Sequence, residues 1–151
     1  MSPLSIIEAM KPLFEPESIA VIGASNNPSK WGNWMVTRPV RSGFRGRIYP
    51  INPKEEKIFG LRAYPGILDV PDPIDLAIIT IPAERVPTAM RECVRKGIRA
   101  AVLISAGFAE VGPEGKVLQD EVVRIAAEGG IRFMGPNGMG IWSPAVRMNT
   151  A

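Results

Sequence analysis

Residues 76–79 read Leu-Ala-Ile-Ile, apolar at every position with no polar alternation. A strand that meets water on one face alternates apolar and polar side chains. One that is apolar throughout is buried on both faces, as in a parallel sheet covered by helices. Similar apolar runs mark residues 19–23 and 99–105, the 76–79 run belongs to a strand expected over 75–81, and residues 47–51 and 131–134 read as further short strands. Helical patterns separate these runs at residues 31–42, 83–96 and 114–128. Val86, Met90 and Val94 recur at fourfold spacing, and Gly43, Gly97 and Gly129-Gly130 stand where helices close. Such alternation predicts a doubly wound, Rossmann-like α/β fold: a mainly parallel sheet with helices on both faces.

The rest of the chain is less regular. Residues 54–72 are broken by Gly60, Pro65, Gly66 and Pro71, with room for a short strand near Ile58-Phe59. Residues 1–17 are expected to form a lead segment, with a helical turn or two around Leu4, Ile7 and Met10 that stops before Pro12. Residues 18–151 are expected to form a single domain, a length that suits one core.

In a doubly wound sheet, ligands sit beyond the carboxyl ends of the strands. The segments expected there are Gly23, Ala24 and Ser25; Asn52, Pro53 and Lys54; Ile81, Pro82 and Ala83; Ser105, Ala106 and Gly107; and Gly135, Pro136 and Asn137. The first is a turn of small residues leading into a helix. Backbone amides and the positive end of a helix dipole favour an anion at such a place, and Ser25 adds a hydroxyl. The turn is not a Gly-x-Gly-x-x-Gly fingerprint, because no glycine lies between Gly23 and Gly32, and it is not a Walker A loop.

After the second strand an NAD domain usually carries an acid for the ribose diol. Here Lys54 follows Asn52 and Pro53, which suits an extra phosphate near the ribose. NADP carries one at the 2′ position and coenzyme A at the 3′ position, and the residue chemistry leaves both open. Ile81-Pro82-Ala83 offers an apolar edge for an adenine ring or a pantetheine arm. Glu110 reads as a charged loop residue rather than a catalytic group. Trp31 and Trp34 read as packing at a helix start, and Cys93 as a small packed side chain.

Net charge is +3 and the sequence pI about 9.3, with the basic residues scattered. No nucleic-acid partner is expected from that pattern. No apolar stretch approaches membrane-spanning length, so no membrane partner is expected either. A single cysteine rules out an internal disulfide and suits a cytoplasmic setting. With no histidine and one cysteine, the chain offers no Ser-His-Asp triad, no histidine or thiolate zinc site and no phosphohistidine. No catalytic or metal-binding residue is therefore predicted.

Taken together, Val21-Ile22-Gly23-Ala24-Ser25, Tyr49-Pro50-Ile51-Asn52-Pro53-Lys54, Ile81-Pro82-Ala83, Ile104-Ser105-Ala106-Gly107-Phe108 and Gly135-Pro136-Asn137-Gly138-Met139-Gly140 resemble a known family. The pattern is similar to the N-terminal CoA-binding domain of the nucleoside-diphosphate-forming acyl-CoA synthetases. That superfamily includes ADP-forming acetate–CoA ligase and the succinyl-CoA synthetase alpha subunit. The resemblance covers essentially the whole chain and implies coenzyme A as ligand. It places Gly23, Ala24 and Ser25 at the phosphates, and Lys54, with Asn52 and Pro53 beside it, at the ribose-phosphate end. It places Ile81, Pro82 and Ala83 along the adenine and upper pantetheine, and Ser105, Ala106 and Asn137 toward the thiol. Gly138 departs from the family pattern, where many members have cysteine.

The complete family enzymes interconvert acyl-CoA, ADP and phosphate with acid, CoA and ATP. They use a phosphohistidine domain and an ATP-grasp domain, in the same polypeptide or a separate subunit. The resemblance implies those partners, and a chain that does not catalyse the reaction alone: an excised domain, a truncated product or a stand-alone module. An NADP-binding oxidoreductase domain and a CoA-sensing regulatory module are the alternative readings.

Overall fold

A computed structural model describes residues 3–151, with side chains from Ser5 onward. In chain order the elements are α1 (Pro3–Phe14), β1 (Ser18–Ile22), α2 (Trp31–Ser42), β2 (Arg47–Ile51), β3 (Lys57–Ile58) and β4 (Leu61–Arg62). They continue with β5 (Leu76–Ile79), α3 (Val86–Lys96), β6 (Ala100–Leu103), α4 (Pro113–Gly129), β7 (Arg132–Met134), β8 (Trp142–Ser143) and β9 (Met148–Asn149). Five strands form one sheet in the order β2-β1-β5-β6-β7, every pair parallel. This is the expected Rossmann-like α/β architecture.

The unbroken apolar runs have the anticipated cause. Ala20, Ile22, Ala77, Ile79, Ala101 and Leu103 face a core shared with Val86, Met90 and Cys93 of α3 and Val122 and Ile125 of α4. Their neighbours Ile19, Val21, Leu76, Ile78, Ala100 and Val102 face a second core with Leu13 of α1 and Met35 and Val36 of α2. Each fully buried aliphatic side chain contributes about 1.5–3 kcal/mol relative to exposure. β2 lies at a sheet edge, which is why it accommodates Pro50.

The lead segment differs from expectation. Its first two residues, and the Leu4 side chain, lie outside the described residues. The helix does not stop before Pro12 but runs to Phe14. Pro12 removes one ladder hydrogen bond. The last turn holds because Leu13 is buried in the second core and the Glu15 amide donates to the Lys11 carbonyl at 2.7 Å. α1 thus belongs to the packed fold.

Two hairpins also lie where the sequence showed little. The β3–β4 hairpin sits beside β2 where one short strand near Ile58-Phe59 was expected, and the β8–β9 hairpin packs Met148 into the second core.

The chain leaves β1 toward β2 on one side and reaches β5 on the other. That reversal opens a crevice at the carboxyl ends of β1 and β5, where ligands of doubly wound sheets bind.

Candidate functional site

Gly23 begins the site. It ends β1 with a φ of +90°, and a methyl group there would meet Thr80 Oγ1 at 2.6 Å and Ile81 Cγ2 at 2.9 Å. Only glycine lets β1 and the segment after β5 approach so closely.

The turn that follows is cross-tied at several points. The amides of Gly23 and Ala24 both donate to the Ile51 carbonyl at 3.2 Å. Asn52 Nδ2 donates to the Ala24 carbonyl at 2.8 Å and Asn33 Nδ2 to the Ser25 carbonyl at 2.9 Å. Asn26 Nδ2 donates to the Lys57 carbonyl at 2.9 Å, and the Phe59 amide donates back to Asn26 Oδ1 at 3.1 Å. Ser25 Oγ accepts the Asn27 amide at 3.0 Å. The expectation of turn amides held open for an anion is therefore altered. Those of Gly23 and Ala24 are engaged by β2, and the turn is a rigid floor.

Two cavities meet above it. One, of about 440 Å³, lies between the ends of β1 and β2 and the start of α3, and its walls include Ile22, Ile51, Pro53, Ile67 and Ala89. The other, of about 600 Å³, reaches past Trp31, Thr80 and Pro82 to Ile104, Ser105 and Ala106. Gly23, Lys30 and Ile81 line both, so they form a waist in one continuous crevice.

The expected site residues distribute as follows. Gly23, Ala24, Asn52, Pro53 and Ile81 line the first cavity. Pro82, Ser105 and Ala106 join Gly23 and Ile81 in the second. Ser105 Oγ donates to the Ile81 carbonyl, tying the β6 end to the β5 end. Ser25 lines neither cavity. Ala83 is buried behind the wall, with its Cβ 3.1 Å from where a side chain on Gly107 would begin. Lys54 lines a neighbouring polar cavity of about 530 Å³ with Asn52, Pro53, Lys57 and Arg62.

Asn137 also lies outside the two linings. It adopts a left-handed φ of 57°, and its amide donates to the Ser105 carbonyl at 3.1 Å. Its side chain bonds Glu110. The Glu110 carboxylate in turn accepts the amides of Gly107 at 2.6 Å and Phe108 at 3.1 Å. The Gly107 amide first, and the Asn137 side chain next, hold the Glu110 carboxyl down at about 2. Glu110 is a loop clamp that joins the β6 and β7 ends, in keeping with its reading as a loop residue.

Sequence reasoning missed Lys30, Arg85 and Thr88, all on cavity walls. Lys30 directly precedes the helical pattern at Trp31, and Arg85 sits just past Ile81-Pro82-Ala83. A search for basic residues flanking the strand-end segments finds both. Trp34 packs, with Nε1 donating to the Pro28 carbonyl at 2.7 Å, while Trp31 meets it edge-on and lines the second cavity. Cys93 is fully buried, and burial pushes its thiol up to about 12, which leaves a neutral packed group. Among the described residues no cluster of side chains fit to hold a metal ion is present, and no helix is long and apolar enough to cross a membrane.

A parallel doubly wound sheet with a crevice astride the glycine at the end of its first strand defines a Rossmann-like α/β domain. The profile of the CoA binding domain family matches residues 17–144, and the chain belongs to that family. It is 47% identical over 135 residues to acetate–CoA ligase [ADP-forming] II of Archaeoglobus fulgidus, covering 89% of this chain and 20% of that protein. It is 42% identical over 136 residues to the alpha subunit of acetate–CoA ligase [ADP-forming] II of Pyrococcus furiosus, covering 90% and 30% respectively.

Among solved structures it is similar to the dinucleotide-forming acetyl-coenzyme A synthetase 1 of Ca. Korarchaeum cryptofilum, in complex with phosphate and ADP. The TM-score is 0.88 at 42% identity, over 93% of this chain and 30% of that one. This is the CoA-binding domain type of the ADP-forming acyl-CoA synthetases, and the oxidoreductase and sensor alternatives are not favoured. The chain spans about a fifth to a third of the length of these relatives.

Proposed function

We propose that this chain binds coenzyme A, as the CoA-holding part of an acid–CoA ligase that forms ADP. The observation that carries the reading is the continuous crevice running from the Ile22–Ile51 side to Ser105, with Gly23 at its waist. The apolar cavity beside Ile51 and Ile67 suits the adenine. The cavity toward Ser105 and Ala106 takes the pantetheine arm and presents the thiol near the β6 end. Asn52, Pro53 and Lys54 stand at the ribose-phosphate end. Ser25, Ala83 and Asn137 support the walls and loops rather than touch the ligand.

Bond formation in the ligase belongs to partner domains that carry a phosphorylated histidine and a nucleotide site. This chain's part is to bind CoA and aim its thiol. Titration calorimetry and thermal melting test the first step. CoA at one hundred times its dissociation constant stabilises by about 2.7 kcal/mol, a melting rise of roughly 5–10 °C for a domain of this size. NADP serves as the comparison ligand. A folded chain that gives no heat and no shift with CoA, or that prefers NADP, overturns the proposal.

A further inference from the structure

Of the first turn's amides, four are already engaged and supply nothing to the anionic middle of the proposed ligand, which calls for a side-chain counter-charge beside the turn. Gly23 and Ala24 donate to Ile51, Asn27 donates to Ser25 Oγ, and Ser29 donates to Asn27 Oδ1. Resting on the CoA reading, we propose that Lys30 is the residue that binds the diphosphate and fixes which cavity receives each half of the ligand.

Three observations converge on it. Lys30 is the one cationic side chain common to the linings of both cavities, beside Gly23 and Ile81 at the waist. It makes no ion pair and no side-chain hydrogen bond in the structure, whereas Arg47, Arg91, Lys116 and Arg124 are paired with carboxylates. Its backbone is fixed: the Lys30 amide donates to the Asn27 carbonyl at 3.1 Å, and its own carbonyl accepts the amides of Asn33 at 3.0 Å and Trp34 at 3.3 Å. A cation on a rigid base loses little freedom on meeting an anion, so more of the interaction appears as affinity.

The geometry also sets the direction of the ligand. Glu84 and Glu92 line the first cavity and repel a diphosphate moved deep into it, while Ser105 and Ala106 close the far end of the second. With the diphosphate at Lys30, the nucleoside occupies the apolar chamber by Ile51 and Ile67, and the pantetheine runs past Pro82 toward Ser105. Arg85 lines the first chamber alone and lies off this waist.

The test measures affinity by calorimetry for wild type, Lys30→Ala and Lys30→Arg, with CoA, 3′-dephospho-CoA and pantetheine. Lys30→Ala is expected to weaken CoA and dephospho-CoA alike, by about ten- to one-hundredfold. Lys30→Arg is expected to restore most of that loss, and pantetheine, which has no phosphate, is expected to bind wild type and Lys30→Ala equally. Melting temperatures without ligand should match, since the exposed Lys30 side chain holds nothing else in place. Wild-type affinity for CoA in Lys30→Ala, or an equal loss for pantetheine, overturns the assignment while leaving CoA binding intact. A wild-type chain that binds neither CoA nor dephospho-CoA overturns the functional reading and this assignment together.

Discussion

Gly32 Cα lies so close to Gly23 that a methyl group on Gly32 would meet the Gly23 carbonyl oxygen at 1.9 Å. The first turn of α2 is thus laid directly on the end of β1, and this contact sets the height of the crevice floor. Gly32→Ala forces the two apart. Overpacking of this kind costs about 1–3 kcal/mol, a fall in melting temperature of roughly 3–10 °C for a domain this size. CoA affinity is expected to fall with it, because Lys30 lies two residues before Gly32 and its carbonyl accepts the Asn33 and Trp34 amides of the displaced turn. Unchanged melting and affinity would show that α2 slides without disturbing the site.

Lys54 stands apart from the waist, with Lys57 and Arg62 in the adjoining cavity. Its expected target is the 3′-phosphate. Because the side chain is exposed and shares its surroundings with two other cations and with the carboxylates of Glu55 and Glu56, its single contribution is about 1 kcal/mol, near fivefold in affinity. Lys54→Ala should weaken CoA by that factor and leave 3′-dephospho-CoA unchanged. Equal losses for both ligands would assign Lys54 a general charge effect.

The parts of the fold that depend on local chemistry were legible in the sequence. Helix α2 begins at Trp31 and closes at Gly43 in a left-handed cap, as expected from its pattern, and α3 closes likewise at Gly97. Strand β2 spans residues 47–51 as read. The failures share one cause, which is tertiary packing. Pro12 signals a stop, yet burial of Leu13 carries α1 past it. The β8–β9 hairpin has strands of only two residues and exists because Met148 and Thr150 are buried, with the Ile141 amide donating to Thr150 Oγ1 at 2.8 Å.

At the site, the strand-end rule points to segments that border the crevice, but it does not say where each donor points. The amides of Gly23 and Ala24 looked free in the sequence, and their partner Ile51 lies in another strand. Lys30 was passed over because a lysine before a helix carries no local signature.

Stability should depend on pH at both extremes. Glu110 has a folded value of about 2 against an ordinary 4.5, so the unfolded chain binds its proton first as pH falls. The stabilisation is complete above about pH 4.5 and is lost between there and pH 2. Cys93 shifts the other way, from 9.0 to about 12, so its contribution is complete below pH 9 and is lost as pH rises toward 12. Tyr49 moves in the same direction, through burial first and then its bond to Asp72. Denaturant titrations across pH should give a plateau from about pH 5 to 9. In Glu110→Gln the acid limb should become shallower. An identical acid limb in that variant would mean that the loop clamp contributes nothing to folding.

Asn137 separates a ligand contact from a loop support. Its backbone is left-handed and its side chain bonds Glu110. Asparagine tolerates that backbone, whereas alanine there costs roughly 1–2 kcal/mol. Asn137→Ala should therefore destabilise the domain by about 1–2 kcal/mol, and Asn137→Gly, which relieves the backbone, should destabilise it by less. Both variants should move the Glu110 carboxyl upward, toward its ordinary value, and make the acid limb shallower, as in Glu110→Gln. CoA affinity should stay within about twofold, because the chambers proposed to hold the phosphates and the adenine are walled by other residues. A tenfold loss of affinity in Asn137→Gly, with melting near wild type, would place this side chain on the ligand and return the β7 loop to the thiol end of the crevice.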